Sequence, residues 1–366
     1  MLNQAFTLAH THESGIRRGV LQLGHGPVET PAFMPIATVG AVKALTMQQV
    51  AALKPSIILA NTYHLSLRPG LEVISAAGGL HRFMGWDKNL LTDSGGFQIF
   101  SLAKLVERDL DGVSFRSHID GSLVRMTPER SMEVQTVLNP DIAMSFDWFP
   151  GFPAKESEVE ESVKHTSAWA SRSKQAFRGD GLLFGIVQGG MFPEWRERSA
   201  AELSAMDFPG YAVGGLAVGE SFTERERILQ TTTPFLPQHK PRYAMGVGLP
   251  EDILSAVRAG IDLFDCVIPT REGRHGKIYT GGMLNDDLTR VEYHTINISS
   301  SAYRLDMSPL DPKCECSVCT TGVTRAYTRH LFTIDEPAAF TITSVHNLYF
   351  YLSLMQRIRD RTEQAH

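Results

Sequence analysis

The sequence predicts a single α/β domain, a (β/α)8 TIM barrel spanning residues 1–366, with a cysteine-bearing insertion after the last barrel strand. Three observations predict it. Eight β-rich runs occur along the chain with helical patterns between most of them, several of the runs are nearly continuously apolar, and most end in polar residues or glycine. The runs are ETPAFMPI (29–36), SIILAN (56–61), NLLTD (89–93), DIAMSFD (141–147), LLFGIVQG (182–189), YAVGG (211–215), RYAMGVG (242–248) and DLFDCVI (262–268). Unbroken apolarity, rather than alternation, is what a parallel strand covered on both faces requires.

The intervening segments read as helices: TMQQVAAL, SEVEESVKHTSAWASRSKQAF, WRERSAAELSAM and PEDILSAVRAG. The last has Pro250 in its first turn, acids after it and Gly260 as its stop. A doubly wound open sheet is the main rival. It needs a glycine-rich phosphate turn after the first strand, and ATVGAVKA is a poor one. Two insertions are expected. Residues 105–130 carry turn signals at Asp111-Gly112 and Asp120-Gly121 and read as β-hairpins. Residues 270–346 follow the eighth run and hold three of the four cysteines.

Composition narrows the class. With 43% hydrophobic residues in 366, the chain can bury a sizeable core. The opening MLNQAFTLAHTHESG lacks the apolar run of a leader, and no segment reaches the roughly 18 apolar residues of a membrane span. A reducing, cytoplasmic setting is expected, which disfavours a disulfide framework. The net charge of −5 gives no overall basic surface, so a nucleic-acid partner needs a local patch. The loop TREGRHGK supplies one with Arg271, Arg274, His275 and Lys277.

In a (β/α)8 barrel the chemistry belongs at the C-terminal ends of the strands. Asn61, Asp93, Asp147, Gln188 and the pair Gly214-Gly215 close successive runs, and Asp265 lies inside the apolar run LFDCVIP. Singly, each aspartate is an ordinary turn residue or helix cap. Together they converge on one rim. Asp265 is the sharpest, because a lone charge in an apolar run is costly unless it is used or paired. Two or three neighbouring carboxylates suit glycosyl transfer, one as nucleophile and one as proton shuttle. A zinc-dependent barrel hydrolase is the competing chemistry, but the strands end in no histidine, and His64 lies beyond NTY.

The strings NTYHLSLRPG, LTDSGGFQIFSL, FGIVQGG, YAVGGLAVGE, MGVGLPEDI, DLFDCVIPTREGRHG and LDPKCECSVC, in this order, give the chain a further character. It resembles, over essentially its whole length, the tRNA-guanine transglycosylases of the bacterial, queuosine-forming type. The resemblance implies exchange of guanine at the wobble position of tRNAs with GUN anticodons for a 7-deazaguanine base, through a covalent enzyme–tRNA intermediate. By that resemblance Asp265 is the nucleophile and Asp93 the general acid/base. Asp147 and Gln188 bind the polar edge of the base, and Gly215 and Leu216 add backbone groups. Glu220 holds that backbone, Asn61 and Gln98 lie near the ribose and the acid/base, and Phe97 and Met245 sandwich the heterocycle. Arg271 and Arg274 read the following uridine; Lys277, from the basic loop noted above, is expected among the RNA contacts on its charge alone. A homodimer is implied as well.

The match breaks at Trp148-Phe149, where relatives carry a small cysteine beside the 7-substituent. These aromatics either reshape the pocket or pack behind it. Val218 matches the relatives that take 7-aminomethyl-7-deazaguanine, which is the first expectation for the incoming base; queuine is the alternative. A non-catalytic subunit of the same fold is disfavoured by the presence of both Asp93 and Asp265.

Cys314, Cys316 and Cys319 are too closely spaced for a disulfide framework, and a fourth ligand would complete a tetrahedral zinc site. His330 and His346 are equally suitable on chemistry alone; the resemblance selects His346. Four protein ligands leave no open position for water, so a Zn2+ there is structural.

Overall fold

The computed structural model describes residues 5–102 and 104–363; residues 1–4, the start of the stretch read for a leader, lie outside them. The chain begins with an antiparallel sheet of β1 (Phe6–Thr11), β2 (Arg17–Leu23) and β3 (Gly26–Thr30). The barrel starts with β4 (Ala32–Met34), β5 (Ile57–Ala60) and β6 (Asn89–Thr92). An antiparallel meander follows: β7 (Lys104–Arg108), β8 (Val113–Arg116) and β9 (Leu123–Met126). The barrel resumes with β10 (Ile142–Met144), β11 (Leu182–Val187), β12 (Tyr211–Val213), β13 (Arg242–Ala244) and β14 (Leu263–Asp265). β15 (Lys277–Leu284) and β16 (Val291–Asn297) form a hairpin after it.

The eight barrel strands pair in parallel in the order β4-β14-β13-β12-β11-β10-β6-β5. A parallel bridge between Ile36 and Leu59 joins the two ends and closes the ring. All eight runs expected as strands are present, each shorter than its string; in β5, β6, β11 and β12 the polar residues or glycines at the end have left the ladder, whereas β14 keeps Asp265 as its last residue and ends before Cys266. The first differs most. Residues 29 and 30 belong to β3, and the barrel strand is only Ala32–Met34. Pro31 separates the two, since it has no N–H for a ladder.

Parallel pairing puts alternate side chains inside and outside. Met34, Leu59, Leu91, Met144, Ile186, Ala212 and Leu263 fill the barrel, where Phe6, Leu21 and Val28 of the first sheet join them. The N-terminal sheet therefore plugs the barrel from the end opposite the chemistry. Arg17 reaches Asp262 at 3.2 Å there, and the Asp141 carboxylate takes the Leu90 N–H and the rings of His25 and His81. Outward-facing residues such as Leu183 and Val187 pack under the helices. The meander lies over the other end, with Val113, Phe115 and Met126 packed on Tyr63, Ile99 and Phe146, all just past strand ends. The C-terminal stretch HNLYFYLSLMQRI lies in one long helix, Ala338–Glu363, whose Tyr351 packs on Phe33 of β4 at 5.1 Å between ring centroids. It occupies the place of the last barrel helix. Among the described residues no helix is long and apolar enough to cross a membrane.

Candidate active site

The polar residues singled out along the sequence do meet at one rim. Asn61 follows β5, Asp93 follows β6, Gln188 follows β11, Gly214-Gly215 follow β12, Met245 follows β13, and Asp265 ends β14. Asp147 lies just beyond β10. Each strand stops where a side chain or a glycine backbone has to face the mouth rather than a neighbouring strand.

Two groups form there. In the first, Asp93 is buried and accepts hydrogen bonds from the Asn61 amide and from the Thr62 N–H at 2.8 Å. Burial pushes its carboxyl up to about 6, against the lowering effect of the Asn61 and Thr62 donors; the nearby charge of Asp265 adds to the rise, and Gln98 opposes it. Gln98, on the helix Gly96–Leu102, thus faces Asp93. Asp265 is also buried and its pKa is raised by desolvation. One of its oxygens, Oδ1, accepts both the Tyr243 hydroxyl at 2.5 Å and the Gly246 N–H at 2.8 Å. Among the described residues no hydrogen bond reaches Oδ2, which leaves it as the unengaged oxygen. Burial and the Asp265 charge keep the Tyr243 phenol protonated far past neutrality, so it stays a donor.

In the second group, Asp147 accepts the Ser94 hydroxyl on Oδ1 and the Gln188 amide on Oδ2, both at 2.8 Å. Burial raises its pKa, opposed by those two donors. Gly214 and Gly215 come so close to Gln188 that a Cβ on either would lie 2.8 and 2.7 Å from its amide atoms, and Gly215 has φ +68°. Only glycine suits both positions. Beside them, Glu220 accepts the Ala217 N–H at 2.6 Å and the Val218 N–H at 2.9 Å, and is itself paired with Arg225 at 2.7 Å. The hydrogen bonds from Arg225 and from these amides hold its carboxyl low in spite of burial. Leu216 is buried next to this turn.

Phe97 is half exposed at the rim and Met245 half buried above the barrel interior. The aromatics at the break in the match take different directions. Trp148 turns behind the site onto His165 and Trp169, at 4.2 and 5.6 Å between centroids. Phe149 packs against Phe97 at 5.5 Å and Phe100 at 5.0 Å, so it stands behind the ring expected to face the heterocycle. Arg271 and Arg274 lie on the helix Ile268–Arg274 directly after β14, and Lys277 opens β15. Arg271 and Lys277 both approach Glu272, at 3.8 and 3.3 Å, while Arg274 and His275 bond to main-chain carbonyls.

Away from these groups, Cys314, Cys316, Cys319 and His346 bring their ligand atoms within 4.8 Å of one another, a set able to hold a metal ion. His330 lies outside that set, on the helix Arg325–Thr333. His346 Nδ1 is 3.6 and 3.4 Å from the sulfurs of Cys316 and Cys319, and its Nε2 donates to the Tyr279 carbonyl at 2.8 Å. That second bond fixes the tautomer in which the Nδ1 lone pair faces the thiols, as metal ligation requires.

Residues missed in the sequence are Tyr243, Ser94, Thr62, Arg225 and Arg196. Ser94 and Thr62 directly follow Asp93 and Asn61, so adjacency was their signal. Arg196 had a subtler one. It shares the i, i+3, i+4, i+7 face of its helix with Ser199, Ala200 and Leu203, all buried.

Residues 12–365 match the family model described as Queuine tRNA-ribosyltransferase. Three curated proteins carrying that same name align over nearly the whole chain. The one from Nitrosomonas eutropha is 50% identical and the alignment covers 97% of this chain and 95% of that protein. The one from Moorella thermoacetica is 48% identical, covering 96% and 91%. The one from Desulforapulum autotrophicum is 47% identical, covering 96% and 93%.

Proposed function

The chain belongs to the Queuine tRNA-ribosyltransferase family, and from that premise we propose that it is a tRNA-guanine transglycosylase, a pentosyltransferase of queuosine biosynthesis. Asp265 Oδ2 attacks the anomeric carbon of the wobble nucleotide while Asp93 gives its proton to the departing guanine. A glycosyl ester on Asp265 results. The incoming base loses a proton to Asp93 and its ring nitrogen attacks the same carbon, which expels the Asp265 carboxylate and restores both groups. The single observation that carries this reading is the contrast between the two carboxylates. One is fixed on one oxygen by Tyr243 and Gly246, and the other is held at about 6, where it can both give and take a proton near neutrality.

Asp147 faces the ring N–H and amino donors of the base, and the Gln188 amide donates to its oxo group. Phe97 and Met245 enclose the flat ring, as in other enzymes that handle an unstacked base. Asn61 and Gln98 orient Asp93, and Arg271, Arg274 and Lys277 grip the anticodon loop. The first choice for the incoming base is 7-aminomethyl-7-deazaguanine. In support, Glu220 holds the Ala217 N–H, and the Leu216–Ala217 peptide is trans, so the Leu216 carbonyl turns to the opposite side. On this reading the ammonium substituent of the base is set against that carbonyl. Queuine is the alternative, raised by the departure from the relatives at Trp148-Phe149. The metal site would hold one structural Zn2+ per subunit on Cys314, Cys316, Cys319 and His346, within an inserted subdomain at 270–346. The same reading takes residues 1–366 as one catalytic domain with a hairpin insertion at 105–130, acting as a cytoplasmic homodimer.

Unmodified tRNA with a wobble guanine, incubated with labelled guanine, 7-aminomethyl-7-deazaguanine and queuine in turn, tests the activity. Incorporation of the aminomethyl base is expected; no incorporation of any base would sink the reading, and preference for queuine would reverse the choice of base.

Asp93 also carries a stability prediction. Its folded pKa near 6 lies above the unfolded value of about 3.9, so the folded state keeps the proton longer. Stability contributed by the protonated form is therefore lost as pH rises from about 4 to about 6 and stays lost above that. Asp93→Asn should remove a penalty on the order of 3 kcal/mol at pH 7.5 and raise Tm by a few degrees while ending base exchange. An unchanged or lower Tm at pH 7.5, with no difference in pH dependence from the parent, would contradict this.

A further inference from the structure

Arg196 is fully buried, yet among the described residues its hydrogen bonds go only to main-chain carbonyls. Nε donates to Gly190 at 2.9 Å, and Nη1 to Val187 at 3.1 Å and Gly214 at 2.8 Å. Its Nη2 is buried without a partner among the described residues. Burial lowers the guanidinium pKa to about 9, so it is still a cation at neutral pH. The Glu220 carboxylate offsets part of that burial from a distance but makes no hydrogen bond to the guanidinium, and a buried charge left with an unbonded N–H calls for a use.

A second buried atom without a partner among the described residues lies beside it: the amide oxygen of Gln188. Both atoms border one point. A Cβ built on Gly215 would lie 2.7 Å from Gln188 Oε1 and 3.5 Å from Arg196 Nη2. The two are thus no farther apart than those distances combined, within reach of one bridging water. The glycine keeps this place clear. At the other end of the same amide, Nε2 donates to Asp147 at 2.8 Å.

We infer that Arg196 is a positioning residue that locks the Gln188 amide with its oxygen toward the guanidinium and its N–H2 toward the base, so that the site selects a 6-oxo over a 6-amino heterocycle. The inference rests on the base-exchange reading above. In the free site Asp147 alone can orient the amide. Once the N–H donors of a guanine-type base occupy the Asp147 oxygens, that hold weakens, and the charge of Arg196 on the opposite end remains. A reversed amide would set oxygen against the oxo group of guanine and would welcome an exocyclic amine instead. In a buried, low-dielectric place a cation facing the amide oxygen opposes that reversal strongly.

The test compares guanine with 2,6-diaminopurine as incoming base on the full-length enzyme, for the parent, Arg196→Gln and Arg196→Lys, each checked for folding by its Tm. The parent should strongly prefer guanine. Arg196→Gln should lower the ratio of kcat/KM for the two bases by about tenfold or more, mainly through KM, and Arg196→Lys should restore part of it. A purely structural role would depress both bases equally. An unchanged ratio in whichever variant folds overturns the inference. A high-resolution structure of the parent with guanine bound needs no variant. It should show Gln188 Nε2 on the oxo group and Oε1 linked to Arg196, and the reversed amide would overturn the inference. If the parent exchanges no labelled guanine into tRNA, it is the functional reading that fails.

Discussion

Asp265→Asn should form no covalent adduct with tRNA on a denaturing gel, and its exchange rate should fall by about 10⁴-fold or more. The amide oxygen can still accept from Tyr243 and Gly246, so the substituted side chain keeps its place at the end of β14. What is lost is the negative oxygen that bonds to the anomeric carbon. Burial already disfavours the charged carboxylate, so Tm should hold or rise. Tyr243→Phe gives the companion measurement. It removes one of the two donors on Oδ1 without touching Oδ2, and should slow exchange by roughly tenfold while the adduct still forms. If an adduct persists in Asp265→Asn, the nucleophile is another residue, with Asp93 the next candidate.

On the proposed function, removing Zn2+ from the Cys314, Cys316, Cys319 and His346 site should damage the structure before the chemistry. The four candidate ligands come from the segment around Cys314–Cys319 and from the long C-terminal helix. His346 also bonds the Tyr279 carbonyl, and its neighbour Asn347 bonds Pro269 and Lys277, so the helix, β15 and the cysteine segment are tied at one place. Binding of structural zinc to such a ligand set contributes on the order of 10 kcal/mol. His346→Ala should therefore lose its metal, measured by elemental analysis, and fall in Tm by roughly 10 °C or more. His330→Ala, outside the cluster, should keep both. Loss of activity with metal gone and Tm unchanged would instead favour the hydrolytic, open-site chemistry.

The barrel was legible because parallel strands are buried on both faces, and LLFGIV or SIILA announces that without any neighbour in view. The rim was legible for a related reason: an aspartate inside LFDCVIP breaks an apolar run where a charge has no business unless it works. Less legible was the N-terminal plug. FTLAHT and RRGVLQL are short and mixed in polarity, and nothing local says that Phe6 and Leu21 belong inside a barrel formed later in the chain. Arg196 was lost in a helix rich in charges, because only its position on the Ser199-Ala200-Leu203 face distinguishes it from Arg198 on the exposed side.

By itself, the sequence determined the eight-strand alternation, the carboxylates and amides at the strand ends and the three thiols, since each is a property of residue type and spacing. Tertiary structure alone decided among partners brought together from distant strands. It turned Trp148 away and Phe149 toward Phe97 and engaged one oxygen of Asp265 through Tyr243; His346, which residue chemistry left level with His330 and the resemblance selected, is the histidine it sets on the thiols. The reason is physical. Periodicity records which face of an element is buried, but hydrogen bonds and pKa values depend on what the other elements set against that face.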